Sequence, residues 1–217
     1  MTSVLTPPST RPDDTRQEKV VVNFIKKFFF DLSCCADFQV VDDRELQVAG
    51  VDIIANGLNI DLKAQASPAY INKPTDTFIL ELSFLASDGN LHCGWFLNEK
   101  YITDRIAFIW IHNSKVNAKG MIANENDIEK LELMFVDKHQ LKAHINKVYS
   151  DEDLLSIAKF LMNSDYTKKD SKINGTWFRH TNHLWEKPTN LVCKKWFLKQ
   201  FSTGHYMITK NSIEEIL

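Results

Sequence analysis

Four polar residues in the stretch Gly50 to Gln65, GVDIIANGLNIDLKAQ, have types and spacings that can do chemistry: Asp52, Asp61, Lys63 and Gln65. Side chains alternate along a strand, so Asp61, Lys63 and Gln65 share one face while Ile60, Leu62 and Ala64 share the other. Asp52 sits in the preceding apolar run, Val51 to Ile54. The Asn56-Gly57 pair between the runs has the composition of a hairpin turn, and folding that hairpin brings Asp52 towards Asp61. Two carboxylates can hold a hard cation such as Mg²⁺ or Mn²⁺, and an ammonium beside them offsets charge developing on a phosphate; this is the equipment for phosphodiester hydrolysis. The alternative is a solvated strand end with an incidental ion pair, worth ~0–1 kcal/mol.

The elements that must position these residues can be read from periodicity. From about Thr15 to Leu32, Val21, Val22, Ile25, Phe28, Phe29 and Leu32 fall on one helical arc, with Lys19, Asn23, Lys26 and Lys27 opposite. Glu18 projects into that arc. It is either a first-turn acid facing solvent or a carboxylate that reaches the metal site. Phe38 to Val41, Glu45 to Ala55 and Leu58 to Ala66 read as successive strands, followed by a Pro68- and Pro74-containing loop that carries Lys73. Thr77 to Phe84 is the next strand, with Glu81 a nearly buried acid and the competitor of Glu18. Strands are expected at Arg105 to His112 and Lys130 to Val136, and helices at Lys138 to Val148 and Asp151 to Met162.

Bulk properties bound the rest. The 217 residues, 44% hydrophobic, suffice for one well-buried domain, expected over residues 15–217 after a Ser/Thr/Pro-rich tail over residues 1–14. Cys34, Cys35, Cys93 and Cys193 form no metal framework and read as reduced thiols, the pattern of a cytoplasmic protein. No apolar run is long enough to cross a bilayer, so no membrane partner is expected. A formal net charge of −2 leaves nucleic-acid affinity to a local basic surface. One exists from about residue 168, where Lys168, Lys169, Lys172, Arg179, Lys187, Lys194, Lys195 and Lys199 face only Asp170 and Glu186. Trp177, Phe178, Trp185, Trp196 and Phe197 are interleaved, either as stacking platforms in a phosphate-tracking groove or as core. His180 and His183 read as surface or supporting groups.

Asp52 followed by Asp61-Leu62-Lys63, with Gly50-Val51 before and Gln65 after, resembles the PD-(D/E)xK phosphodiesterase superfamily of restriction endonucleases and junction resolvases. The resemblance extends from Arg16 to Ile111, through the acid-bearing helix, the Glu81 strand, and the Gly94-Trp95 segment leading to Asp104-Arg105-Ile106-Ala107-Phe108. Val51 stands where the motif's proline would be. The resemblance implies an α/β fold with a restriction-endonuclease-like mixed central sheet flanked by helices. It further implies an Mg²⁺- or Mn²⁺-dependent deoxyribonuclease, expected to act as an endonuclease, with RNA not excluded and a homodimer admitted. Asp52, Asp61 and the Leu62 backbone carbonyl would hold the metal, completed by Glu18 or Glu81. Lys63 would face the attacking water or scissile phosphate, and Gln65 would orient the water or touch the nucleic-acid backbone. The basic residues Lys73, Lys168, Lys169, Lys172, Arg179, Lys194, Lys195 and Lys199 would bind the nucleic acid. The other reading is a catalytically inactive protein of the same fold, acting as a nucleic-acid-binding or inhibitory partner.

Overall fold

The computed structural model describes residues 11–30 and 37–216; residues 1–10 of the expected 1–14 tail, Leu32 and the Cys34-Cys35 pair lie outside them. Helix α1 (Arg11–Ile25) begins four residues before the expected Thr15, because Pro12 is tolerated in a first helical turn, where no N–H is needed. It continues as a π-helical segment, Lys26–Phe30. That wider turn carries the buried stripe from Phe24 and Ile25 to Phe29 and Phe30, five residues on. Upstream the stripe runs through Gln17, Val20 and Val21, so Glu18 is exposed rather than central to the apolar arc. The Gln17 amide both donates to and accepts from the Ile122 backbone at 2.9 Å, which docks the helix.

The strands build two sheets rather than the single central sheet expected. The first has seven strands: β1 (Phe38–Val40), β2 (Ile53–Ala55), β3 (Leu58–Ala64), β6 (Arg105–Ser114), β7 (Ile128–Asp137), β11 (Ser202–Thr209) and β12 (Ile213–Glu215), adjacent in that order. Among the described strands of this sheet only β3 and β6 run parallel. The second sheet, all antiparallel, has the order β5 (Leu91–Cys93), β4 (Thr77–Leu85), β10 (Thr189–Lys194), β9 (Thr176–His180), β8 (Lys168–Asp170). Glu81 therefore belongs to a different sheet from Asp61, because β4 pairs with β10, more than a hundred residues downstream.

The run Glu45 to Ala55 is not one strand. Asp43 accepts the N–H groups of Glu45 and Leu46, nucleating a short helix, α2 (Arg44–Val48), and β2 starts only at Ile53. Asn56 and Gly57 both have positive φ, 50° and 73°, and make the expected two-residue hairpin turn between β2 and β3.

Strand β6 organises the interior, because its alternating side chains enter two cores. Ala107, Ile109 and Ile111 pack with α1, Ile53 and Ile60 on one side of the seven-stranded sheet. Ile106, Phe108 and Trp110 pack on the other with the second sheet and with helices α3 (Lys138–Ile145), α4 (Asp151–Met162) and α5 (Lys195–Lys199). The protein is thus mixed α/β, and no helix among the described residues is long and apolar enough to cross a membrane.

Candidate active site

Ile60 and Leu62 point into the α1 core, so Asp61 and Lys63 point to the opposite face, as period two requires. Strand β2 is short and leaves the far half of β3 without a strand neighbour on that side. Asp52 occupies the gap: its backbone N–H donates to Ile60 O at 2.9 Å, and its carboxylate Oδ2 accepts the Leu62 N–H at 2.7 Å. The hairpin thereby brings Asp52 beside Asp61. Within an extended strand the N–H and C=O of one residue point the same way, so the Leu62 carbonyl also faces this open edge.

Asp61 is 2% exposed. Its Oδ1 accepts a 2.7 Å bond from the Lys63 ammonium, while Oδ2 is buried with no hydrogen-bond partner. Burial pushes the Asp61 carboxyl up to about 7; Lys63 opposes this, and Asp52 adds to it. Burial works against the Lys63 ammonium, but Asp61, with Asp52 and Glu18 behind it, holds the lysine above its ordinary range and hence charged. Trp95 lies under it, the ring centroid 5.2 Å from Nζ, delivered by a turn whose Gly94 and Phe96 N–H groups donate to β4 carbonyls.

Tyr101 closes the far side. Gly50, at φ 77°, lies against this ring so closely that a Cβ there would collide with it, and the Gly50 carbonyl accepts from the Thr103 hydroxyl at 2.7 Å. Burial raises the Tyr101 phenol, with Asp61, Glu81 and Asp52 contributing and Lys63 opposing, so it stays protonated. Glu18 thus acts on the site through Lys63, and Glu81 lies within electrostatic range of Tyr101. Lys138, at the start of α3, brings a further cation: it is buried, donates to the Tyr101 carbonyl at 3.2 Å, and is held below the ordinary lysine value by that burial, against the pull of Asp61. Trp95, Tyr101 and Lys138 carry no motif; the Gly94-Trp95 dipeptide before the Asp104 strand is their one trace in the sequence.

Gln65 is placed differently from expectation. Its amide nitrogen donates to Thr75 Oγ1 at 2.8 Å and to Thr77 O at 2.6 Å, and its oxygen accepts the Thr75 N–H at 2.9 Å. The side chain ties the end of β3 to the start of β4. Beyond it a cavity of about 360 Å³ opens, lined by Glu18, Tyr70, Thr77, Ile79, Trp177 and Arg179 among others. On the other side, one of about 300 Å³ reaches Trp95 and Tyr101 through His92 and Lys100.

The predicted basic set does not form one surface. Arg179 enters the first cavity, the Lys168 ammonium sits 5.5 Å above Trp177, and Lys194 pairs in register with Thr77. Lys73 is exposed in the loop that carries Tyr70. Lys169 and Lys172 line a separate cavity of about 490 Å³ against α4, and Lys199 ends α5. Lys195 turns inward, 2.8 Å from Glu132 Oε2 and 4.3 Å from the Trp110 ring centroid. Glu132, buried on β7, also meets His112 Nε2 at 2.6 Å and His205 Nε2 at 2.8 Å. Burial opposes its charge, but the bonds from His205, Lys195 and His112 prevail and hold it at about 2. Of the aromatics, Phe178 and Phe197 are core, whereas Trp177 is half-buried and Trp185 and Trp196 are exposed. His180 is buried, its Nδ1 2.9 Å from Thr189 Oγ1, and His183 is exposed.

A hard divalent cation fits the Asp52–Asp61 end of this site. The orphaned Asp61 Oδ2, the Asp52 carboxylate and the Leu62 carbonyl are oxygen donors at one strand edge, with Lys63 beside them. Among the described residues no three His, Cys, Asp or Glu side chains converge as a self-sufficient metal cage. Mg²⁺ suits such a partial set, since it is commonly held by one or two carboxylates and completed by water and substrate phosphate. No family model matches the chain, and neither a curated protein nor a solved structure is significantly similar to it.

Proposed function

We propose that this protein is a divalent-metal-dependent nuclease that hydrolyses phosphodiester bonds in DNA, with the restriction-endonuclease-like arrangement that its Asp52 and Asp61-Leu62-Lys63 motif resembles. The observation that carries the reading is the Asp61 carboxylate, buried, with one oxygen on Lys63 and the other unmatched, next to an Asp52 clamped on the following residue. A buried, unpaired carboxylate oxygen costs stability and is retained where a ligand satisfies it.

Asp52 and Asp61 would hold Mg²⁺ or Mn²⁺ with the Leu62 carbonyl. When bound, the cation supplies Lewis-acid polarisation of the phosphate and a more acidic water. Lys63 holds Asp61 in place in the free protein, and its charge stands ready to offset the extra negative charge of the transition state. Trp95 restrains the ammonium, and the protonated Tyr101 phenol supplies a donor on the same wall.

The second reading, a nuclease-fold binding module without catalysis, is favoured by the lack of a three-residue metal cage among the described residues. Supercoiled plasmid, linear DNA and RNA incubated in parallel with Mg²⁺, Mn²⁺ or EDTA separate the two. Metal-dependent nicking that disappears in Lys63→Met supports the nuclease. Salt-sensitive retention on DNA without cleavage in any metal overturns it in favour of the binding module.

A further inference from the structure

The cavity beyond Gln65 is a built site that the hydrolytic machinery does not use. Its floor is apolar, from Phe78, Ile79 and Val192. Its wall carries the half-buried Trp177 and, two residues along the same face of β9, the exposed Arg179. Tyr70, 40% exposed, stands at its margin. The Gln65 bonds to Thr75 and Thr77 tie together three of its lining residues. An apolar, aromatic cavity with a few fixed polar groups is the ordinary form of a small-ligand site, and ~300 Å³ is the lower end of the usual size.

Charge and position narrow the occupant. Arg179 and its register partner Lys168 lie on one side of the Trp177–Val192–Ile79 row and Lys194, in register with Thr77, on the other, with Glu18 at the rim, so an anion meets cations on two sides of the cavity. Ala64 and Gln65, the two residues after Lys63 on β3, line the cavity, and Glu18, which acts on Lys63, lines it too, so it opens beside the Asp61–Lys63 pair. A base seated in it would leave its backbone phosphate on the Lys63 side.

We infer that this cavity takes one unpaired base of a DNA strand whose scissile phosphate lies at the Asp61–Lys63 pair, so that the protein acts on single-stranded or locally opened DNA. The inference rests on the nuclease reading for the role of Lys63, but the base contact itself needs neither metal nor cleavage.

The test is equilibrium binding in EDTA, by fluorescence anisotropy, of three labelled probes: a short single-stranded oligodeoxynucleotide, the same strand with every base removed, and the duplex. Wild type should bind the base-bearing strand about tenfold tighter than the abasic strand, the scale of one aromatic–base stack, and tighter than the duplex. Trp177→Leu should lose the preference for bases, and Trp177→Phe, which keeps a ring on the same scaffold, should recover most of it. Equal affinity for base-bearing and abasic strands, equal affinity for strand and duplex, or unchanged discrimination in Trp177→Leu overturns the inference. Metal-dependent cleavage without base discrimination would remove the base cavity and spare the nuclease; base discrimination without cleavage in any metal would do the reverse.

Discussion

The Lys63 ammonium holds one oxygen of Asp61 at 2.7 Å and leaves the other buried without a donor, beside the Asp52 carboxylate. In the free protein the lysine is, among the described residues, the one cation bonded to this carboxylate, and under the proposed function a divalent ion would complete a site that is otherwise half satisfied. Asp61→Asn and Lys63→Met should each lower cleavage by about 10²–10³-fold while circular dichroism stays native. Mg²⁺ should raise the melting temperature of wild type and not that of Asp61→Asn.

Because burial pushes the Asp61 carboxyl up to about 7, protons compete with the metal there. Above that pH the carboxylate is free to bind, and below it each pH unit should weaken Mg²⁺ affinity about tenfold. Calorimetric titration with Mg²⁺ between about pH 5.5 and 8.5 reads this directly. A flat affinity across that range would show that Asp61 is not the ligand.

Gln65→Ala should raise KM by about tenfold and leave kcat nearly unchanged, because both polar ends of the side chain are engaged with Thr75 and Thr77. A fall in kcat with unchanged KM would return Gln65 to the role of orienting water.

Glu132 is a stability element. Its depressed value, about 2 against an ordinary 4.5, means that its contribution is fully present above about 4.5 and is lost as pH falls towards 2. Glu132→Gln should cost about 3 kcal/mol at neutral pH and flatten the acid limb of the unfolding curve. Lys195→Ala should likewise destabilise the fold, whereas Arg179→Ala and Lys168→Ala should reduce the salt slope of single-strand binding by about 0.7 each without moving the melting temperature.

Gly50→Ala should cost about 2 kcal/mol, from the positive φ and the collision with Tyr101, and should reduce cleavage through displacement of that ring. Thermal unfolding and a single-turnover assay separate the two effects.

The Asp52–Lys63 hairpin was legible because its information is local: an Asn-Gly turn and a strict alternation decide which side chains share a face. Strands β6 and β7 were legible for the same reason. The Glu45 to Ala55 stretch misled because one Asp43 cap outweighs a β-compatible composition over five residues. The division into two sheets was not legible, since the partner of β4 is β10, and nothing near Thr77 announces a strand at Thr189. Lys195 read as a phosphate ligand in a basic run because its neutraliser, Glu132, is 63 residues away in the chain. The cavity behind Gln65 was hidden by the same distance: Tyr70, Trp177 and Glu18 converge only once both sheets are built.

The pairing of β4 with β10 also sets the order in which the molecule can become whole. Residues 52 to 63 emerge from the ribosome early, yet β9 and β10, the strands that wall the neighbouring cavity, are made only near the end of synthesis. A chain stopped before Thr176 would carry every residue of the motif and none of Trp177, Arg179 or Val192. An unfinished chain would then have the Asp52, Asp61 and Lys63 side chains without the cavity wall beside them.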